Sequence, residues 1–135
     1  MLLLRVRAAV LLAAALAAGA YAARAANAAE GDAARGERVF QRCYACHSVD
    51  RNETAQLQGP SLFGVMGRRA AALPGFEYSK AMRARGAAGL VWSADTLDRF
   101  IADPDAFVPG TAMGLPPLND AQARADVIAY LSAQR

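Results

Sequence analysis

Apolar positions recur at helical spacing along this chain, and no segment alternates convincingly with period two. Asp32 is a natural N-cap, and Gly36, Val39, Phe40 and Cys43 follow it at i, i+3, i+4 and i+7, one face of a helix. Towards the other end, Asn119 and Gln122 make a capping-box pattern. Ala123, Val127, Tyr130 and Leu131 line one face of the helix behind it. Between the two, Ser93 caps a short helix carrying Leu97, Phe100 and Ile101, which Asp103-Pro104 stops. A further helix begins near Ser79 and ends in the glycines Gly86 and Gly89. Residues 52–75 and 103–117 are rich in Gly and Pro and read as loop. The pattern predicts an all-α domain with long irregular connections. Loops of that length in a small domain need something to organise them.

The first residues have a different character. Arg5 and Arg7 precede an apolar, alanine-dominated run from Ala8 to Ala23, and Ala26-Asn27-Ala28 offers the small-residue pattern of a signal peptidase site. Residues 1–28 are therefore expected to be a signal peptide cleaved near Ala28, with a cut after Ala25 as the alternative. An uncleaved anchor is the competing reading, but a spanning helix needs about 20 strongly apolar residues, and alanine is the weakest of these. Residues 29–135 are then expected to form one exported domain that works outside the cytoplasm. Cleavage removes Arg5, Arg7 and Arg24 from the 15 basic residues, while all 12 acidic residues remain. The mature chain is formally neutral, so no net basic field points to a nucleic-acid partner. Arg68, Arg69, Lys80, Arg83 and Arg85 still fall close together, and Asp95, Asp98, Asp103 and Asp105 form an acidic run.

Both cysteines and the only histidine lie in "CYACH", residues 43–47. A disulfide catalyst built on Cys-x-x-Cys would sit in a βαβ context that this chain lacks. A closed structural zinc site takes four Cys or His ligands, and only three are available. A disulfide between Cys43 and Cys46 would close a very short loop and contribute little. Covalent haem attachment uses every element present: two thiols to add across the vinyl groups and an adjacent imidazole to reach the iron. With one histidine, His47 is the proximal ligand and bis-histidine ligation within the chain is impossible. The candidates for the other axial position are Met66, Met82 and Met113. Met82 falls in a helix at core spacing, where a gap-filling role is the simpler reading. Met66 is near His47 in sequence for a wrap to the opposite haem face. Met113 follows Pro109-Gly110-Thr111, is far enough down the chain to close over that face, and is presented by a loop.

From residue 30 onward the chain resembles a class I c-type cytochrome of the mitochondrial-like and soluble bacterial branch. "CYACH", "GPSLFGVMGRRA", "PGFEYSKAM", "VWSADTLDRFIADP" and "FVPGTAM" follow in that family's order and spacing. The resemblance implies a small cytochrome c fold, four to five helices with long loops wrapped around one haem c attached through Cys43 and Cys46. It implies that the Pro60 carbonyl accepts from His47 Nδ1–H, the contact that orients a ligating imidazole. It places Arg68, Tyr78, Trp92 and Thr111 as donors around the haem propionates, whose burial without partners would be costly. It assigns Gly36 to a close crossing of the first and last helices, with Phe40 and Tyr130 packed beside it.

There are departures from the family pattern. Phe100 occupies the place of a tyrosine hydroxyl near the Met sulfur, and the position of a buried asparagine falls near Met82. Lys80 is the only lysine, and Asp105 lies beside the expected place of a docking lysine. The function implied is a monomeric single-electron carrier with His47/Met113 ligation, not an enzyme. It would act in the periplasm, with a redox donor and acceptor that the sequence does not name, a membrane-bound oxidase and a periplasmic dehydrogenase being the candidates. The alternative is a dedicated cytochrome subunit of such a dehydrogenase. A haem enzyme or gas sensor, with Met113 off the iron, is disfavoured by the absence of a distal histidine.

Overall fold

The computed structural model describes residues 30–135; residues 1–28, read as the export signal, lie outside them. Asp32 opens the first helix, α1 (Ala33–Phe40), with its carboxylate accepting from the Arg35 N–H at 2.7 Å. Four more helices follow: α2 (Lys80–Ala87), α3 (Ala94–Ala102), α4 (Pro104–Phe107) and α5 (Ala121–Ala133). The described residues contain no strand, only one isolated antiparallel bridge between Arg69 and Val91. Among them, no helix is long and apolar enough to cross a membrane.

Sequence patterning locates the helices, and local chemistry adjusts their ends. Ser93 caps α3 in a reciprocal box with Thr96, and Ser79 caps α2. The cap of α5 is Asp120, not Asn119. Its carboxylate accepts from the Gln122 and Ala123 N–H groups, while the Gln122 side chain donates to Asp126 and makes no box. The expected loop at 103–117 begins with α4. Asp103 ends α3 and at once caps the next helix, whose Pro104 at N1 has no N–H to lose. Helix α2 runs through Gly86, which is buried, and ends at Ala87.

The first and last helices cross closely. A Cβ on Gly36 would lie 2.0 Å from the Asp126 carbonyl oxygen, and one on Gly31 would lie 2.1 Å from that of Ala125. Phe40 is fully buried beneath the crossing, with its ring 5.3 Å from Tyr130 and 4.7 Å from Tyr44. Burying such a ring contributes about 2–3 kcal/mol. Val65 and Val108, from the loops, are the other large side chains sealed completely.

The crossing also buries a carboxylate that periodicity did not flag. Asp126 is 3% exposed and accepts from Arg35 Nε and Nη2 at 2.7 and 2.8 Å, from the Asp32 N–H at 2.8 Å and from Gln122 Nε2 at 2.9 Å. The Arg35 guanidinium above all holds this carboxyl well below the usual carboxylate range, against the opposing effect of burial. A folded-state pKa below the unfolded one stabilises above the unfolded value of about 3.9 and is lost as pH falls further. Asp126→Asn is therefore expected to lower the thermal midpoint at pH 7 by roughly 5–10 °C. The gap from wild type should narrow steadily below about pH 4. Equal gaps at pH 7 and pH 3 would mean that the ionised carboxylate contributes nothing.

Candidate haem site

Beyond Phe40 the chain keeps coiling. Cys43 and Tyr44 donate to the Phe40 carbonyl, and Cys46 and His47 donate to that of Cys43, at 2.7–3.3 Å. Cys43, Cys46 and His47 thus share one turn continuous with α1. Its position follows from the α1–α5 crossing. Both thiols are free and half-buried. Burial pushes the Cys43 thiol up, partly offset by Arg42.

The loop after this turn folds back behind the imidazole. His47 Nδ1 lies 2.7 Å from the Pro60 carbonyl oxygen. Burial lowers the His47 pKa, favouring the neutral ring, and the Pro60 contact partly opposes that. With Nδ1–H donating, Nε2 carries the lone pair a metal needs. Gly59 supports the ring from behind. Its N–H donates to the Cys46 carbonyl at 2.8 Å, and a Cβ there would sit 2.3 Å from His47 Cε1. Gly59 was not among the expected site residues; its signal in the sequence is a glycine directly before the residue expected to orient the histidine.

A second group forms where residues 67–70 run antiparallel to 90–92. Trp92 N–H donates to Arg68 O at 2.9 Å, Gly67 N–H to Trp92 O at 2.8 Å, and Ala70 N–H to Leu90 O at 2.9 Å. Arg68 is half-buried and spends two of its five N–H groups on the carbonyls of Ser61 (2.7 Å) and Phe63 (3.2 Å). Burial lowers its pKa, with Tyr78 nearby opposing the shift. Tyr78 is pushed up by burial, while Arg68 and the Leu73 backbone draw it back. Trp92 is 8% exposed, with its ring 5.2 Å from Phe100. Phe100 is itself buried.

Of the three candidate methionines, Met82 is buried in α2 as core. Met66 packs at the core edge between two glycines of positive φ, Gly64 and Gly67. Met113 is half-buried in the long loop before α5, with its N–H 3.3 Å from the Thr111 hydroxyl. Gly110, at φ +81°, lies against Ala81 of α2.

An all-α shell of long loops, with paired thiols and an oriented imidazole on one turn, defines a protein built to hold a haem covalently. The cytochrome c family model matches residues 33–134. Cytochrome c type-1 of Ascaris suum is 42% identical over 100 residues, covering 73% of this chain and 85% of the relative. Cytochrome c2 of Rhodomicrobium vannielii is 43% identical over 99 residues, covering 73% and 76%. Among solved structures, cytochrome c2 from Rhodospirillum centenum superposes with a TM-score of 0.72 at 38% identity, covering 77% of this chain and 98% of its own. That of Rhodopseudomonas palustris ferricytochrome c2 gives 0.69 at 40% identity, covering 77% and 99%. The chain belongs to the cytochrome c family, as a class I c-type cytochrome. It is a monohaem electron carrier with one haem c, and Cys43 and Cys46 are its only cysteines.

Proposed function

We propose that this protein is a periplasmic single-electron carrier in which His47 and Met113 are the axial ligands, exported through residues 1–28 and cleaved near Ala28. The observation that carries the reading is the His47 imidazole, fixed by the Pro60 carbonyl at 2.7 Å and backed by a glycine, on the same turn as two free thiols. When bound, the haem iron supplies Fe(III)/Fe(II) chemistry, and a thioether ligand favours the reduced state. Cys43 and Cys46 hold the group, and Pro60 keeps Nε2 of His47 directed at it. Arg68, with N–H groups beyond the two it gives to carbonyls, joins Tyr78, Trp92 and Thr111 in receiving the propionates. With His47 and Met113 both holding the iron, no site would remain for a substrate, so the protein would pass electrons to redox partners and make no bonds. Encounters with such partners typically bury less than about 1,200 Å².

The twelve acids and twelve bases that remain after cleavage, with Lys80 as sole lysine, also favour one dedicated partner over general electrostatic docking. A dehydrogenase subunit would co-elute with its enzyme on size exclusion, whereas a free carrier elutes as a monomer. Intact-mass measurement on the natively exported, denatured protein tests attachment and cleavage together. The expected mass is a chain beginning near Ala29 plus one haem. A bare chain two hydrogens light would overturn the haem reading, and a full-length chain plus haem would overturn only the cleavage.

A further inference from the structure

The segment that presents Met113 does little to hold itself in place. Thr111 N–H donates to Val108 O at 2.9 Å, and the next backbone-to-backbone hydrogen bond among the described residues is at Leu118. Glycines at 110 and 114 leave the backbone loose on both sides of Met113. Its position must therefore come from the ends of the loop. The first end is the fully buried Val108. The second is gripped by one side chain. Arg124, on α5, donates from Nη1 to the carbonyls of Leu118 (2.9 Å) and Asn119 (3.0 Å) and from Nε to Asp98 of α3 (2.7 Å). Leu118 N–H then reaches back to Ile101 O of α3 at 3.0 Å. The Arg124 side chain is only 14% exposed, so these contacts are partly shielded from water. Pro116 and Pro117, with fixed φ, carry the clamped end towards Met113 with few free torsions.

We propose that Arg124 is a positioning residue for the sixth ligand: its fork ties the end of the Met113 loop to α3 and so keeps Met113 over the iron. The proposal rests on the Met113 ligation argued above. A lysine could keep the pair with Asp98 but could not span two carbonyls and a carboxylate as a planar guanidinium does.

The test uses exported holoprotein and compares wild type with Arg124→Ala, Arg124→Lys, Asp98→Asn and Met113→Ala. Two readouts are taken: the carbon monoxide binding rate of the ferrous form at 25 °C, and the temperature at which the far-red sulfur-to-iron band is lost relative to the far-ultraviolet helix signal. Arg124→Ala should bind carbon monoxide roughly tenfold faster or more, as expected if the open population rises by that factor. Its band should disappear well below helix melting, and Arg124→Lys should restore part of the difference. In a Met113→Ala background, Arg124→Ala should change the rate no further. A purely structural Arg124 would lower both temperatures together and leave the rate at 25 °C unchanged, which overturns the proposal. If Arg124→Ala yields no folded protein, Arg124→Lys and Asp98→Asn decide the matter: faster binding in either supports it, and wild-type rates in both overturn it. Failure of the ligation itself would show in the wild type, as a missing band or a rate equal to that of Met113→Ala.

Discussion

Met113→Ala is expected to keep the haem attached but open its sixth position. Both thioether cysteines and His47 remain, and they sit on a turn secured by α1 rather than by the Met113 loop. Met113 is only half-buried, so the fold should survive the truncation. The oxidised far-red band should vanish. The potential should fall, because an oxygen ligand favours Fe(III) where a thioether favours Fe(II). Carbon monoxide should bind the ferrous variant at least about a hundredfold more readily, the factor gained when a site open 1% of the time becomes open always. Met66→Ala and Met82→Ala should keep the band. A band that survives in Met113→Ala and disappears in one of the other two would move the ligand to that methionine and leave the carrier reading intact.

Gly36→Leu should have the opposite signature, a large loss of stability with little change in the spectrum of whatever folds. The added Cβ would meet a backbone oxygen, Asp126 O, at 2.0 Å, so no rotamer relieves the clash. Separating α1 from α5 to make room would also pull Arg35 and the Asp32 N–H away from the Asp126 carboxylate. The cost should reach or exceed the upper end of the usual overpacking range of about 1–3 kcal/mol. Thermal unfolding checks this. An unchanged midpoint would mean that the helices do not cross there in solution.

These two positions mark how much could be read from the residues alone. The α1 cap at Asp32 and the α3 cap at Ser93 were legible because each rests on one residue type with a narrow physical use, whereas the close approach at Gly36 came only with the resemblance to the cytochrome family. Less legible were features set by competition. Asn119 and Asp120 can both cap a helix, and the choice fell to Asp120 once Asp126 drew the Gln122 side chain away. Pro104 reads equally as a helix stop or as the first residue of a new helix, and the Asp103 cap decides for the latter. Asp126 lies three residues after Ala123 and four before Tyr130, on the apolar face of α5, and an acid at such a position was the signal for a buried partner. That partner, Arg35, is 91 residues away, a separation no local pattern spans. The pairing of Arg68 with Trp92 depends on a single bridge too short to alternate. Gly59 needed the His47 ring in place before its missing side chain had a meaning.

The charge pattern bears on the partner rather than on the haem. Asp105 is exposed, beside the place where the family pattern leads to a docking lysine, and Lys80 is the sole lysine. Arg85 and Arg99 instead converge on the Phe107 ring, at 5.2 and 4.9 Å from its centre. A partner matched to this surface would differ in charge layout from one matched to a ring of lysines.

The most direct measurement is the visible spectrum of the exported wild-type protein, oxidised and reduced, with and without carbon monoxide. The expected result is a low-spin covalent haem, a far-red sulfur-to-iron band in the oxidised state, and a reduced spectrum that carbon monoxide barely alters. Rapid conversion of the reduced protein to a carbon monoxide adduct, with no far-red band when oxidised, would show an open iron and contradict a carrier ligated by His47 and Met113.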